Sequence, residues 1–287
     1  MNVAQRPVVI ETIRGMREVI AAERAAGHSI ALTPTLGALH DGHLAHVVRA
    51  AELADTLVVS IFVNPTQFSD DADLEKYPRT LEADLSALEA VGVHYVFAPS
   101  VDEMYPGGPT QTTVTAGVVG GLFEGASRSG HFDGVLTVVA KLLDIVTPNV
   151  ATFGQKDAQQ LFLVRRMVGD LNLPVRIEAI ETVRESDGLA LSSRNQFLDA
   201  NQRRAARTLS VALEAVSSSA DRGLDAALAA GQGALMGESL VQLDYLKIVH
   251  PQTFMPVDDD YRGAAIVIVA AQLGSTRLID NETIYLG

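Results

Sequence analysis

The chain has no cysteine, which excludes disulfides, thiol nucleophiles and Cys-ligated metal sites. Basic residues are outnumbered: 22 Lys and Arg stand against 35 Asp and Glu, a formal net charge of −13. That balance argues against a general nucleic-acid or anionic-membrane binder, because phosphate surfaces are held by basic faces. A local basic pocket for one nucleotide remains compatible with it. No apolar run is long enough to span a bilayer, and residues 1–11 contain no apolar core with a cleavage site, so the expected compartment is the cytoplasm. Neither G-x-G-x-x-G nor a Walker A sequence occurs, and no internal repeat is found. Asn281-Glu282-Thr283 has the spelling of a glycosylation acceptor, which without a secretion signal counts as a chance match.

The 287 residues, 47% hydrophobic and 20% charged, suit one large or two modest globular domains. Apolar strand-like runs alternate with helical periodicity as far as residue 182, the pattern of a parallel sheet. The clearest run is Thr56-Leu57-Val58-Val59-Ser60-Ile61-Phe62-Val63, rich in β-branched residues. Beyond 182 come a polar connection, helical stretches at 201–220 and 224–236, then strand-like runs at 242–249, 264–271 and 283–285. The expected fold is a Rossmann-like, doubly wound α/β domain over residues 1–182 and a smaller α+β domain over 183–287.

The chemistry concentrates after the short apolar run Ser29-Ile30-Ala31-Leu32, in Thr33-Pro34-Thr35-Leu36-Gly37-Ala38-Leu39-His40-Asp41-Gly42-His43. Helical spacing of Leu44, Val47, Val48 and Ala51 predicts a helix opening at His43. The first N–H groups of such a helix lack internal partners and favour an anion, phosphate above all. Two imidazoles there can donate hydrogen bonds to phosphate oxygens. His40, His43 and His46 recur every third residue, but zinc wants a distant fourth ligand and the chain supplies no Cys.

Three further blocks carry polar groups. Gln67, in Asn64-Pro65-Thr66-Gln67-Phe68, can donate and accept at once, which suits a hydroxy acid. Lys156, in Gly154-Gln155-Lys156-Asp157-Ala158-Gln159-Gln160, stands at a helix start, an unfavourable place for a cation unless an anion compensates. Leu191-Ser192-Ser193-Arg194 offers two hydroxyls and a guanidinium to a triphosphate. Each has a plain structural alternative: an Asn-Pro turn, a surface ion pair with Asp157, a polar linker with a Ser cap.

Together these blocks resemble the pantothenate synthetase (pantoate–β-alanine ligase) family, within the nucleotidyltransferase superfamily marked by H-x-G-H. The resemblance implies ATP-dependent condensation of (R)-pantoate with β-alanine through a pantoyl adenylate, releasing AMP and diphosphate. It assigns ATP to Leu36, Gly37, Ala38, Leu39, His40, Asp41, Gly42 and His43, to Gly154, Gln155, Lys156 and Asp157, and to Val183, Leu191, Ser192, Ser193 and Arg194. Gln67 and Gln160 are implied to bind pantoate, Gln67 also meeting β-alanine, and Asn64 to shape that pocket. His43 is the first choice for proton donation or phosphate stabilisation, with His40 second and Lys156 beside them. Tyr77-Pro78-Arg79-Thr80 also matches the family and points to Asp84 as a magnesium contact. Gly130-His131-Phe132 matches too, with no reason in the sequence to choose ligand contact over packing. A homodimer is implied, with small-molecule partners only. Leu36, Gln155 and Ala158 depart from the family's usual Met, Glu and aromatic. Two rival functions remain: another H-x-G-H nucleotidyltransferase, and a nucleotide-binding regulator without turnover.

Overall fold

The computed structural model describes residues 6–68, 71–108 and 110–287; residues 1–5, 69–70 and 109 lie outside it. Its strands are β1 (Val8–Ile10), β2 (Ile30–Thr35), β3 (Thr56–Ile61), β4 (Tyr95–Phe97), β5 (Val150–Gly154), β6 (Arg176–Ile180), β7 (Gln242–Val249), β8 (Gly263–Leu273) and β9 (Thr276–Leu286). The helices are α1 (Ile13–Ala25), α2 (Asp41–Ala51), α3 (Asp71–Lys76), α4 (Leu81–Ala90), α5 (Val101–Met104), α6 (Glu124–Ser127), α7 (His131–Val146), α8 (Ala158–Asp170), α9 (Ala200–Ala206), α10 (Thr208–Ser218) and α11 (Leu224–Met236). Contacts divide the chain into two compact units: the first joins Leu163–Ile180 to the stretch ending at Gly154, the second joins Gln155–Phe162 to Glu181–Gly287.

In the first unit, six strands form a sheet in the order β1-β4-β3-β2-β5-β6, every pair parallel. This is the doubly wound architecture expected from the alternating pattern. The chain lays β3 and β4 on one side of β2 and then starts β5 on the other, so the order reverses between β2 and β5. In open parallel sheets ligands gather outside the carboxyl ends at such a reversal. β2, β3 and β5 are buried over most of their length, which is why they are continuous apolar runs without alternation. Pro34 is tolerated within β2 because it lies past Leu32, the last residue paired with β5, where a missing N–H costs no ladder bond on that side. Val47 and Ala50 of α2 and Leu85 and Leu88 of α4 join Ala31, Leu57, Val59 and Val96 in one core cluster. α7 buries 12 of its 16 residues, so it is a core helix, not an amphipathic surface one.

In the second unit, β7, β8 and β9 form an antiparallel sheet. The β8–β9 hairpin is closed by a two-residue turn with Gly274 at φ +59°. Leu209, Leu213 and Val216 of α10 and Ala227 of α11 pack with Leu246, Val267 and Val269 of that sheet. The smaller α+β part expected from the sequence is therefore present. Residues 201–220 form two helices broken at Arg207, and the C-terminal strand is longer than its apolar pattern suggested because polar residues interrupt it. Among the described residues no helix is long and apolar enough to cross a membrane.

Candidate functional site

Beyond β2 the chain takes two consecutive left-handed residues, Gly37 at φ +87° and Ala38 at φ +52°. Glycine is needed at 37 on two counts: the positive φ, and an added Cβ lying 3.1 Å from both Asp84 Oδ2 and Ile61 Cγ2. Ala38 is strained in this conformation, and a side chain holds it there. Asp84 Oδ2 accepts from the Ala38 N–H at 3.1 Å and Oδ1 accepts from the Leu39 N–H at 2.9 Å. The Thr80 hydroxyl donates to the same carboxylate at 3.2 and 3.3 Å. Thr80 stands at the N-cap of α4 without a side-chain capping bond, because its hydroxyl is directed to Asp84. Asp84 is 3% exposed.

Asp84 is the residue the family pattern points to as a magnesium contact. Its two oxygens face hydrogen-bond donors: two backbone N–H groups and the Thr80 hydroxyl. A hard cation needs several converging oxygens, and among the described residues no three or more His, Asp or Glu are gathered to hold a metal. This donor set fits a loop clamp and does not fit a protein-held magnesium site.

α2 opens two residues earlier than its apolar periodicity predicts, at Asp41, because the His40 ring acts as its cap. His40 Nδ1 accepts from the Gly42 N–H at 3.1 Å, and His43 Nδ1 accepts from the His40 N–H at 3.3 Å. The two rings lie against each other, tilted by 33° with centroids 4.0 Å apart. A ring that accepts through Nδ1 carries its proton on Nε2. Both imidazoles are therefore fixed as Nε2–H donors by unambiguous backbone donors.

At the carboxyl end of β3, Asn64 is fully buried and its amide is used on both sides. Oδ1 accepts from the Thr66 N–H, the Thr66 hydroxyl and the Tyr105 hydroxyl, at 3.3, 2.9 and 2.7 Å. Nδ2 donates to the Gly134 carbonyl at 3.3 Å and to Gln67 Oε1 at 3.1 Å. Since a backbone N–H can only donate, the Thr66 contact fixes which end of Asn64 is oxygen. That in turn fixes Gln67: its Oε1 is engaged and its NH₂ is the end left to meet a ligand. The Gln67 carbonyl accepts from His131 Nδ1 at 2.7 Å and Arg128 at 3.3 Å. A Cβ at Gly134 would come within 2.2 Å of the Thr66 carbonyl oxygen, so only glycine lets α7 approach this loop. Burial pushes the Tyr105 hydroxyl above its ordinary pKa. Asn64 is thus bonded into the Gln67 loop, and Tyr105, Arg128, His131 and Gly134 support that loop unannounced by the sequence except through the Gly130-His131-Phe132 block. Beside the loop lies a cavity of about 310 Å³, lined by Leu36, Gly37, Phe62, Thr80, Asp84 and Pro99 among others. It contains neither histidine nor Gln67.

The second unit holds the remaining candidates. Gln155-Lys156-Asp157 form a 3-10 turn ahead of α8. Among the described residues Lys156 makes no ion pair, so its expected alternative as the partner of Asp157 is not seen. Asn281 Nδ2 donates to the Gln155 carbonyl at 2.9 Å and to the Lys156 carbonyl at 2.7 Å. Gln160 follows in the first turn of α8, half-buried. Val183 accepts from the Leu191 N–H at 2.9 Å, and Arg184 bridges to Ala190. Arg184 makes a bidentate pair with Asp280 at 2.6 and 2.9 Å, and this bonding raises the guanidinium pKa further. Ser192 Oγ caps the turn Ser193–Phe197 by accepting from the Arg194 N–H at 3.2 Å. The Ser cap foreseen for a polar linker is therefore real; it still leaves the Ser192 hydroxyl proton to donate.

A doubly wound sheet with a histidine-capped helix at the carboxyl end of its central strand defines a Rossmann-like α/β protein equipped to meet an anion. Comparison with known proteins narrows this. The pantoate–β-alanine ligase family profile matches residues 8–283. The pantothenate synthetase of Leifsonia xyli subsp. xyli is 54% identical over 278 residues, 97% of this chain and 96% of its own. Among solved structures, pantothenate synthetase from Thermus thermophilus superposes with a TM-score of 0.89 at 45% identity, covering 96% of this chain and 98% of that one. The pantoate–β-alanine ligase of Francisella tularensis, complexed with β-γ ATP and β-alanine, gives 0.79 at 30% identity, covering 96% and 97%. The chain belongs to the pantoate–β-alanine ligase family.

Proposed function

We propose that the chain is an AMP-forming ligase that condenses (R)-pantoate with β-alanine, using MgATP as substrate. In the first half-reaction a pantoate carboxylate oxygen attacks the α-phosphorus, the bond to the β-phosphate oxygen breaks, and diphosphate leaves. In the second, the β-alanine amine attacks the pantoyl carbonyl carbon, the bond to the AMP oxygen breaks, and the amine gives up its proton. No covalent enzyme intermediate is needed, so the protein's work is positioning and charge stabilisation.

The roles divide by chemistry. His43 and, second to it, His40 donate from Nε2 to phosphate oxygens; Lys156, Ser192, Ser193 and Arg194 share the charge of the departing diphosphate. Gln67 presents its NH₂ to the pantoate carboxylate or hydroxyl, and Gln160 contributes a second amide. The backbones of Gly154, Gln155, Asp157, Val183 and Leu191 complete the ATP set. Magnesium belongs to the substrate, carried mainly by the phosphates, while Asp84 acts as a clamp on the histidine loop. A lid role for residues 183–287, a homodimer and a cytoplasmic location complete the reading.

The observation that carries it is the fixed polarity of Gln67 and of the two imidazoles, all within one unit of a chain the family profile spans almost end to end. The test is diphosphate–ATP exchange with magnesium. Exchange that requires pantoate supports the ligase; exchange with another acid or alcohol points to a different nucleotidyltransferase; ATP binding without exchange points to a regulator.

A further inference from the structure

Asn281 matches a surface modification motif in the sequence, yet its side-chain amide is engaged within the chain. It lies on β9, an edge strand, next to Asp280. Successive residues of a strand face opposite sides, and here each side braces a different block. Asp280, 4% exposed, holds Arg184 by two bonds. Arg184 in turn donates to the Gly188 carbonyl at 3.1 Å and bridges to Ala190, within the hairpin that leads into Ser192. Asn281, on the other side, donates to the carbonyls of Gln155 and Lys156.

We propose that Asn281 is a positioning residue for the anion-handling turn at Lys156. The physical reason lies in the peptide plane. In a trans peptide the C=O of one residue and the N–H of the next point in opposite directions. Drawing the Gln155 and Lys156 carbonyls to one amide nitrogen turns the N–H groups of Lys156 and Asp157 the other way. The same two bonds fix the peptides on either side of the Lys156 Cα, and so the direction in which its side chain leaves the backbone. An amide suits the task because one nitrogen carries two divergent donors; an aspartate of the same shape carries none and would set a negative charge against two carbonyl oxygens.

This inference rests on the ligase reading for its activity assay, so a second readout is independent of turnover. Asn281→Asp, which preserves shape, and Asn281→Ala are each combined with Lys156→Ala in a double-mutant cycle. The cycle is measured in pantoate-dependent diphosphate exchange and, separately, in calorimetric ATP affinity. Either single change at 281 is expected to lower exchange and ATP affinity about tenfold. In the Lys156→Ala background the same change is expected to cost clearly less, about threefold, since no ammonium is left to aim and only the backbone N–H groups at 156 and 157 still depend on Asn281. A full tenfold loss in that background, or no loss in the single variants, overturns the proposal. Circular dichroism and the rate of β-alanine attack on supplied pantoyl adenylate monitor folding; should the alanine variant misfold, the aspartate variant decides. If the wild-type protein shows no pantoate-dependent exchange, the ligase reading fails, and the ATP-affinity cycle still judges the positioning role.

Discussion

Replacing Asp84 by Asn separates a loop clamp from a metal ligand. The carboxylate accepts from two successive backbone N–H groups and from Thr80, in a place that is 3% exposed. Asparagine keeps one acceptor oxygen and turns an NH₂ group toward the other N–H, donor against donor. The loss of a charge-assisted bond is worth about 1.5–3 kcal/mol, and a buried N–H left unpaired about 1–3 kcal/mol. These terms overlap, so a destabilisation of about 3 kcal/mol is expected. Ala38 adds a motive for relaxation, because its left-handed backbone stores about 1–2 kcal/mol that the clamp opposes. Freed, the loop would shift the start of α2 and the two rings that cap it, and a misplacement of about 1 Å can cost 10²-fold in rate. Urea unfolding followed by circular dichroism should show a lower midpoint, and exchange should fall at every magnesium concentration with an unchanged half-saturation for the metal. An unaltered urea midpoint together with a raised magnesium half-saturation would refute the clamp and restore Asp84 as a metal ligand.

Four other substitutions address separate parts of the molecule. Gly134→Ala places a methyl against the Thr66 carbonyl, so the Gln67 loop must move; pantoate affinity should fall at least tenfold with ATP affinity within twofold, and calorimetry with each ligand checks it. His43→Ala and Lys156→Ala should slow adenylylation roughly 10²–10³-fold while ready-made pantoyl adenylate reacts with β-alanine nearly normally; equal losses in both single-turnover steps would show that neither acts selectively on diphosphate departure. Glu23 is held at a pKa of about 2, below the ordinary 4.5, first by His28, then by Tyr95, with Thr56 adding to it; because the folded pKa is the depressed one, its stabilisation is complete above about 4.5 and is lost as pH falls toward 2. The urea-midpoint gap between wild type and Glu23→Gln should therefore be wider at about pH 6 than at about pH 3, and a constant gap would show that the ionised form is not what matters.

The parallel sheet was legible because its central strands are buried on both faces and so appear as unbroken apolar runs. Leu57-Val58-Val59 and Val150-Ala151 leave few other readings. The edges of elements were less legible, and α2 shows why: an apolar stripe cannot reveal that an imidazole upstream of it serves as the cap. The candidate site was legible where a residue type carries the chemistry itself, as with His43, Gln67 and Lys156. It was hidden where a residue acts through the backbone of another. From sequence Asp84 points to a magnesium contact, Gly134 to nothing beyond a helix, and Asn281 to a chance glycosylation match. Their partners lie 46, 70 and 126 residues away, and no local pattern encodes such a separation.

That difference also changes how the histidine loop would handle an anion on the proposed function. From sequence, the unpaired N–H groups of the new helix were the anion-binding feature. In the structure the Gly42 N–H of that helix serves His40 Nδ1 and the His43 N–H serves the His40 carbonyl, while just ahead of it the N–H groups of Ala38 and Leu39 serve Asp84 and that of His40 serves His43 Nδ1. An Nδ1 that accepts a backbone proton makes the Nε2–H at the far side of the ring a better donor, because hydrogen bonds in series polarise one another. The positive end of the helix is thereby carried through the imidazoles instead of ending at the peptide. On the proposed function, the two histidine side chains are the groups, of the residues from Leu36 to His43 expected on ATP, through which the helix start would reach a phosphate. Alanine at either position removes more than a donor: it also uncaps the backbone group behind it. Pairing each alanine variant with an asparagine at the same position, which can still accept from that N–H, separates the two losses.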